Sequence, residues 1–169
     1  MKNKIYSLLI ILILSILFLT KLNSEEIFIF NISELQVTDD GNLYRGFNGG
    51  EAYTEDEISI KAENFEYNKI TNILIANKDV VFEDKNRNIR IIAEEIIYEK
   101  NNEKVIATGN VSITDESKNI NIRTNKILYS KNENLISATD KVNYTDKNKG
   151  IIIIAGEISY YKGQEKLFA

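Results

Sequence analysis

The 169-residue chain contains no cysteine, no histidine and no proline. Without cysteine there is no disulfide framework, no thiolate zinc site, no cysteine nucleophile and no lipobox-type attachment point for a lipid. Without histidine it lacks both the usual general base near neutral pH and the commonest metal ligand. That weighs against serine-triad hydrolases and most zinc enzymes. Glycine is scarce: there are 8, and Gly41, Gly46, Gly49 and Gly50 crowd into one short stretch. The remainder is 43% hydrophobic and 27% charged, sufficient for one domain with its own core.

The amino terminus follows a logic of its own. Lys2 and Lys4 precede an apolar run from Ile5 to Phe18, and polar Asn23, Ser24, Glu25 and Glu26 follow. This is the layout of a signal peptide, and residues 1–24 are expected to be one, or else an uncleaved membrane anchor. The apolar run is shorter than the roughly 20 residues of a membrane span, which favours cleavage near Ser24, although Leu22 and Asn23 are not the small residues preferred there. Removal of residues 1–24 deletes three lysines, Lys2, Lys4 and Lys21, and moves the formal charge from −4 to −7. An exported acidic domain of this kind is not expected to bind nucleic acid.

Beyond it, the chain repeats at one fixed interval, the step from Ile58 to Ile89. Ile58, Ile89, Ile120 and Ile151 open successive units, and Tyr67, Tyr98, Tyr129 and Tyr160 share one slot inside them. A fixed period with apolar residues in constant slots means units that bury their apolar faces by stacking on their neighbours. In the first clear unit Ile58, Ile60 and Ala62 alternate with polar residues, Glu63 and Asn64 sit at a parity change, and Phe65 and Tyr67 continue the strand. After a turn at Asn68 to Asn72, Leu74 and Ala76 begin a return strand, Asn77 to Asp79 make a second corner, and Val80 and Phe82 finish it. This alternation, with strand-favouring Ile, Val and Tyr, predicts an all-β meander whose long strands bend across two facing layers. The result is an open-ended β-jellyroll around one apolar lumen. A parallel β-helix with 31-residue coils is the structural rival. Residues 25–57 read as a degenerate capping copy, with Ile27, Ile29 and Leu43 lying one full interval ahead of Ile58, Ile60 and Leu74. Its glycines suggest irregular capping hairpins in place of a continuous ladder. Residues 58–169 form the regular repeats, and the last of them, from Ile151, is half a unit.

No constellation with catalytic spacing emerges, and no cofactor or metal is called for. Asp84, Asp115 and Asp146 share a repeat position, so a carboxylate ladder able to hold cations is conceivable, but the turn preference of Asp accounts for the recurrence. The Tyr row reads as cross-strand core packing before it reads as a binding surface. The apolar slots Ile91, Ala107, Val111, Ile113, Ile122, Ala138, Val142 and Tyr144 are expected to face inward, while Lys61, Arg90 and Arg123 face outward. An open-ended stack can present such a lumen as a groove suited to acyl chains, or close it as a dry core.

Ala62-x-x-x-x-Tyr67, Leu74-x-Ala76, and above all Ala93-x-x-x-x-Tyr98 followed by Val105-Ile106-Ala107-Thr108-Gly109-Asn110-Val111, resemble the repeat of the LptA/OstA-like family (organic solvent tolerance protein, amino-terminal domain). The resemblance covers residues 56–169. Asn77-Lys78-Asp79 and Thr139-Asp140-Lys141 depart from its Gly-Asn corner, and Thr124 from its Ala. It implies a V-shaped β-jellyroll, a periplasmic location, and a part in lipopolysaccharide transport and outer-membrane assembly, with lipid A chains held along the inward slots just named. It also implies partnership with other Lpt-type jellyrolls through edge-strand pairing. The stretch from Phe28 to Gly50 resembles the start of LptD-type proteins, in which case this chain is a fragment lacking the barrel. The alternatives are a structural or surface β-repeat protein with no lipid ligand, and a β-helical polysaccharide-active enzyme.

Overall fold

A computed structural model describes residues 28–169. Residues 1–24, read above as signal peptide or anchor, and Ile27 lie outside the described residues. The described chain is one antiparallel sheet of eleven strands: β1 (Ile29–Thr38), β2 (Leu43–Tyr53), β3 (Ile58–Ala62), β4 (Asn64–Asn68), β5 (Ile73–Asp84), β6 (Ile89–Glu99), β7 (Lys104–Asp115), β8 (Ile120–Ser130), β9 (Leu135–Asp146), β10 (Ile151–Tyr161) and β11 (Lys166–Phe168). Each strand pairs with the next in sequence, with β3 and β4 acting as two halves of one strand between β2 and β5. An antiparallel meander excludes the parallel β-helix. The expected jellyroll is what forms, as one sheet creased along its middle.

The crease comes from the predicted corners. In β5, β7 and β9 the ladder slips by an irregular step, and two consecutive residues there take left-handed backbone: Lys78 and Asp79, Gly109 and Asn110, Asp140 and Lys141. The sites without glycine thus fold as the Gly-Asn corner does. Thr124, in place of the usual Ala, donates its hydroxyl to the carbonyls of Thr139 and Asp140 at 2.6 and 2.8 Å, satisfying oxygens that the crease in β9 frees from the ladder.

Inward side chains run in rows across the sheet. One row alternates small and large, Gly46, Phe65, Ala76, Ile96, Ala107, Ile127, Ala138 and Ile158 being directly paired in turn. Small residues on every second strand leave room at the crease for the facing layer. Adding a Cβ to Gly46 would set it 2.7 Å from Ile32 Cδ1, so alanine there would require the Ile32 side chain to shift.

The amino-terminal copy departs from expectation in two ways. It joins the ladder, β1 and β2 pairing from Ile29 to Thr38 with one register shift between Ile32 and Glu34, where irregular hairpins off the ladder were expected. Its offset from the next unit is also one residue shorter than the regular interval. Phe28 and Phe30 face the core while Ile29 is 43% exposed, and Tyr44, not Leu43, pairs with Tyr67 in the slot corresponding to Leu74. The cause is one turn. Thr54 and Ile58, joined by a backbone bond of 3.0 Å, stand where Asp84 and Ile89 stand later, so residues 55–57 do the work of residues 85–88 with one residue fewer.

Candidate functional site

Creasing the sheet brings its two rims of turns face to face. One rim carries the turns after β4, β6, β8 and β10, the other the turns before β3, β6, β8 and β10. Between them lies the inner face. All eight slots named from the sequence, Ile91, Ala107, Val111, Ile113, Ile122, Ala138, Val142 and Tyr144, are buried there in one apolar cluster. Arg123 is exposed and Arg90 half-exposed on the outer face, as is the Lys61 side chain at 57%. The inner face is filled by its own side chains. A surface concavity of about 370 Å³ lies instead on the outer face, among Thr114, Asn121, Asn143 and Thr145.

The Tyr slot forms the row next to the first rim. Its members alternate with Leu74, Val105 and Ile136, so aliphatic side chains separate the rings. Phe28 and Phe82 meet Tyr98 edge-on at 6.0 and 5.8 Å, which is core packing as expected. The hydroxyls differ. Tyr67 donates to Asn72 Oδ1 at 2.8 Å, and Lys131 Nζ stands 3.4 Å from the Tyr98 hydroxyl. The hydroxyls of Tyr129 and Tyr160 are buried with no hydrogen-bond partner. Burial raises both phenols above their ordinary range, with nearby carboxylates adding to it, and pushes Tyr144 up to about 12.

The aspartates that share a repeat position end their strands and are buried. Each accepts from the amide three residues on, Asp84 from Arg87 at 3.0 Å, Asp115 from Lys118 at 3.2 Å and Asp146 from Lys149 at 2.9 Å. They are turn caps, and among the described residues no group of three or more potential ligands could hold a metal ion.

A second repeat ladder, unexpected from the apolar pattern, faces them. Lys69, Lys100, Lys131 and Lys162 recur at the same interval as the tyrosines and open the turns of the first rim. Lys100 lies over the Phe28 ring. Lys131 is 1% exposed and reaches across the seam to Asp56 at 3.7 Å. Lys162 reaches Asp115 Oδ2 at 3.2 Å and donates to the Arg87 carbonyl oxygen. Arg87 pairs with Glu103, and Lys118 and Lys149 with Glu165, again from rim to rim. The period of these lysines was present in the sequence; what it lacked was any sign that the two rims meet.

No family model and no curated protein matches the sequence. Among solved structures the chain is similar to LptH of Pseudomonas aeruginosa, described as the LptA-homologous periplasmic component of the lipopolysaccharide transport device. The identity is 16% and the TM-score 0.60, over 68% of this chain and 82% of that one. The likeness is one of fold: both are LptA-like β-jellyrolls.

Proposed function

We propose that this chain is a non-catalytic module of lipopolysaccharide transport in the periplasm, exported by its amino-terminal segment, that holds lipid A acyl chains against its inner face. Other Lpt-type jellyrolls would join it edge to edge. What carries this reading is the inner face, apolar in nearly all of its slots from rim to rim of an LptA-like jellyroll. Such a surface suits a long flexible chain and offers few directional groups for a compact polar substrate. Residues 58–169 would be the carrying repeats and residues 25–57 their first, altered copy.

The experiment is photocrosslinking. A photoreactive side chain at Val111 or Val142 should label lipopolysaccharide, and one at outward-facing Arg123 should not. Asp115 would be a poor outward control, because it is buried at the seam. Equal labelling at all three positions would mean nonspecific adhesion. The tight filling of the inner face favours a second reading, a structural β-repeat protein with no lipid ligand, and labelling at none of the three would select it.

A further inference from the structure

Lys131 and Lys162 stand at one level of the molecule, just above the apolar inner face and just below solvent. An amphiphile with its chain between the layers would place its headgroup there. We propose that these two amines bind the phosphate of such an amphiphile, an inference that rests on the lipid-carrying reading and adds the headgroup chemistry it selects.

The first support is how the lysines are paired. A buried ammonium requires an anion or strong acceptors close by. Here the partners of Lys162 and the carboxylate partner of Lys131 come from the opposite rim: Asp56 for Lys131, Asp115 and the Arg87 carbonyl for Lys162. Parting the rims to admit a chain removes these partners together. The carboxylate of Asp115 does not suffer equally, because its other oxygen keeps the Lys118 amide of its own turn. The amines are therefore the groups left in need, and a phosphate supplies the charge that the carboxylate gave up.

The second support is independent. Among the described residues, apart from Asp115 Oδ2, which faces Lys162 at 3.2 Å, the buried side-chain atoms without a hydrogen-bond partner are the hydroxyls of Tyr129 and Tyr160. Lys131 follows Tyr98 by the same interval as Lys162 follows Tyr129. Lys131 approaches the Tyr98 hydroxyl, yet Lys162 turns to Asp115 and leaves Tyr129 unfilled. The hydroxyls of Tyr129 and Tyr160 keep unused donors, and an oxyanion that reached them would accept from both. Lys131 and Lys162 are two strands apart, roughly 10 Å.

Binding to the full chain can be measured below the critical micelle concentration with three probes: a single-chain lysophosphatidate, the monoacylglycerol of equal chain length, and inorganic phosphate. Lysophosphatidate should bind at least tenfold tighter than monoacylglycerol. The double variant Lys131→Gln, Lys162→Gln should bring it to the monoacylglycerol level while leaving monoacylglycerol itself unchanged, and Lys162→Arg should preserve the preference. Equal binding of the two amphiphiles by the parent, or a preference that survives in the double variant, overturns the proposal. So does inorganic phosphate binding as tightly as lysophosphatidate, which would mark a free-phosphate site. Should neither amphiphile bind, the lipid-carrying reading falls and this inference with it. The parent comparison and Lys162→Arg decide the matter even if the double variant does not fold.

Discussion

Tyr67 and Tyr129 occupy equivalent slots, yet their hydroxyls act oppositely on stability. The Tyr67 hydroxyl bonds Asn72, and losing such a bond costs about 1 kcal/mol. The Tyr129 hydroxyl is buried without a partner, and a group of that kind costs about 1–3 kcal/mol. Tyr67→Phe should therefore lower the denaturation midpoint, and Tyr129→Phe should leave it unchanged or raise it, as read by urea unfolding. If Tyr129→Phe costs as much as Tyr67→Phe, its hydroxyl has a partner after all. Alkaline pH addresses the same row. A phenol whose folded pKa lies above its unfolded value of about 10 holds its proton more tightly when folded. Its contribution is thus complete below pH 10 and declines as pH rises through the folded value, which for Tyr144 is about 12, chiefly because of burial and next because of Asp146. Circular dichroism should show stability falling between pH 10 and 12, and Tyr144→Phe should make the fall shallower. A parent with flat stability across that window would contradict the burial of these phenols.

At the scale of the strand, the crease sets both stability and legibility. Left-handed backbone is free of cost at Gly109 but strained at Lys78, with φ of 80° and 66° respectively. Lys78→Gly should consequently stabilise by about 0.5–1 kcal/mol and Gly109→Ala should destabilise by about 1 kcal/mol or more, since equal crease geometry is being asked of unequal residues. Thermal unfolding of the two variants should move in opposite directions. If both lower the midpoint, Lys78 contributes through its exposed pairing with Glu63 more than it loses in strain. The creases were readable from the sequence because a parity change between Ala62 and Phe65, and polar pairs such as Lys78-Asp79, interrupt an otherwise strict alternation. The inward slots were readable for the same reason. The register of β1 and β2 was not: it hangs on one residue missing from the turn after Thr54, and Leu43 and Tyr44 are both apolar enough to hide the slip. Nor was the seam readable, because Lys162 and Arg87 lie far apart in sequence and only the crease brings them together.

For the molecule as a whole, the informative place is the end of the sheet at β10. Its first half, Ile151-Ile152-Ile153-Ile154-Ala155, is a continuous apolar run of the kind found in strands covered on both faces. Here it is an edge. β11 pairs only with Ser159, Tyr160 and Tyr161, so the run has β9 on one side and no strand of the described chain on the other, with Ile152 69% and Ile154 81% exposed on the outer face. Natural edges are blunted with charge, bulges or proline, and this half-strand has none of these beyond its crease at Gly156. At the opposite end β1 pairs, among the described residues, only with β2, and Leu35 and Val37 are exposed. Pairing β10 of one copy with β1 of the next is heterologous and leaves a free edge at each end, so it grows linearly and carries the inner face onward, whereas β10 against β10 stops at a dimer. Sedimentation should therefore reveal concentration-dependent species larger than dimers. Ile152→Lys with Ile154→Lys should abolish them without unfolding the chain, since both side chains are already in solvent and charge at an edge opposes pairing. A strict monomer at high concentration would refute the exposed pairing edge, and a dimer that never grows would mean that the apolar face closes on itself instead of continuing from copy to copy.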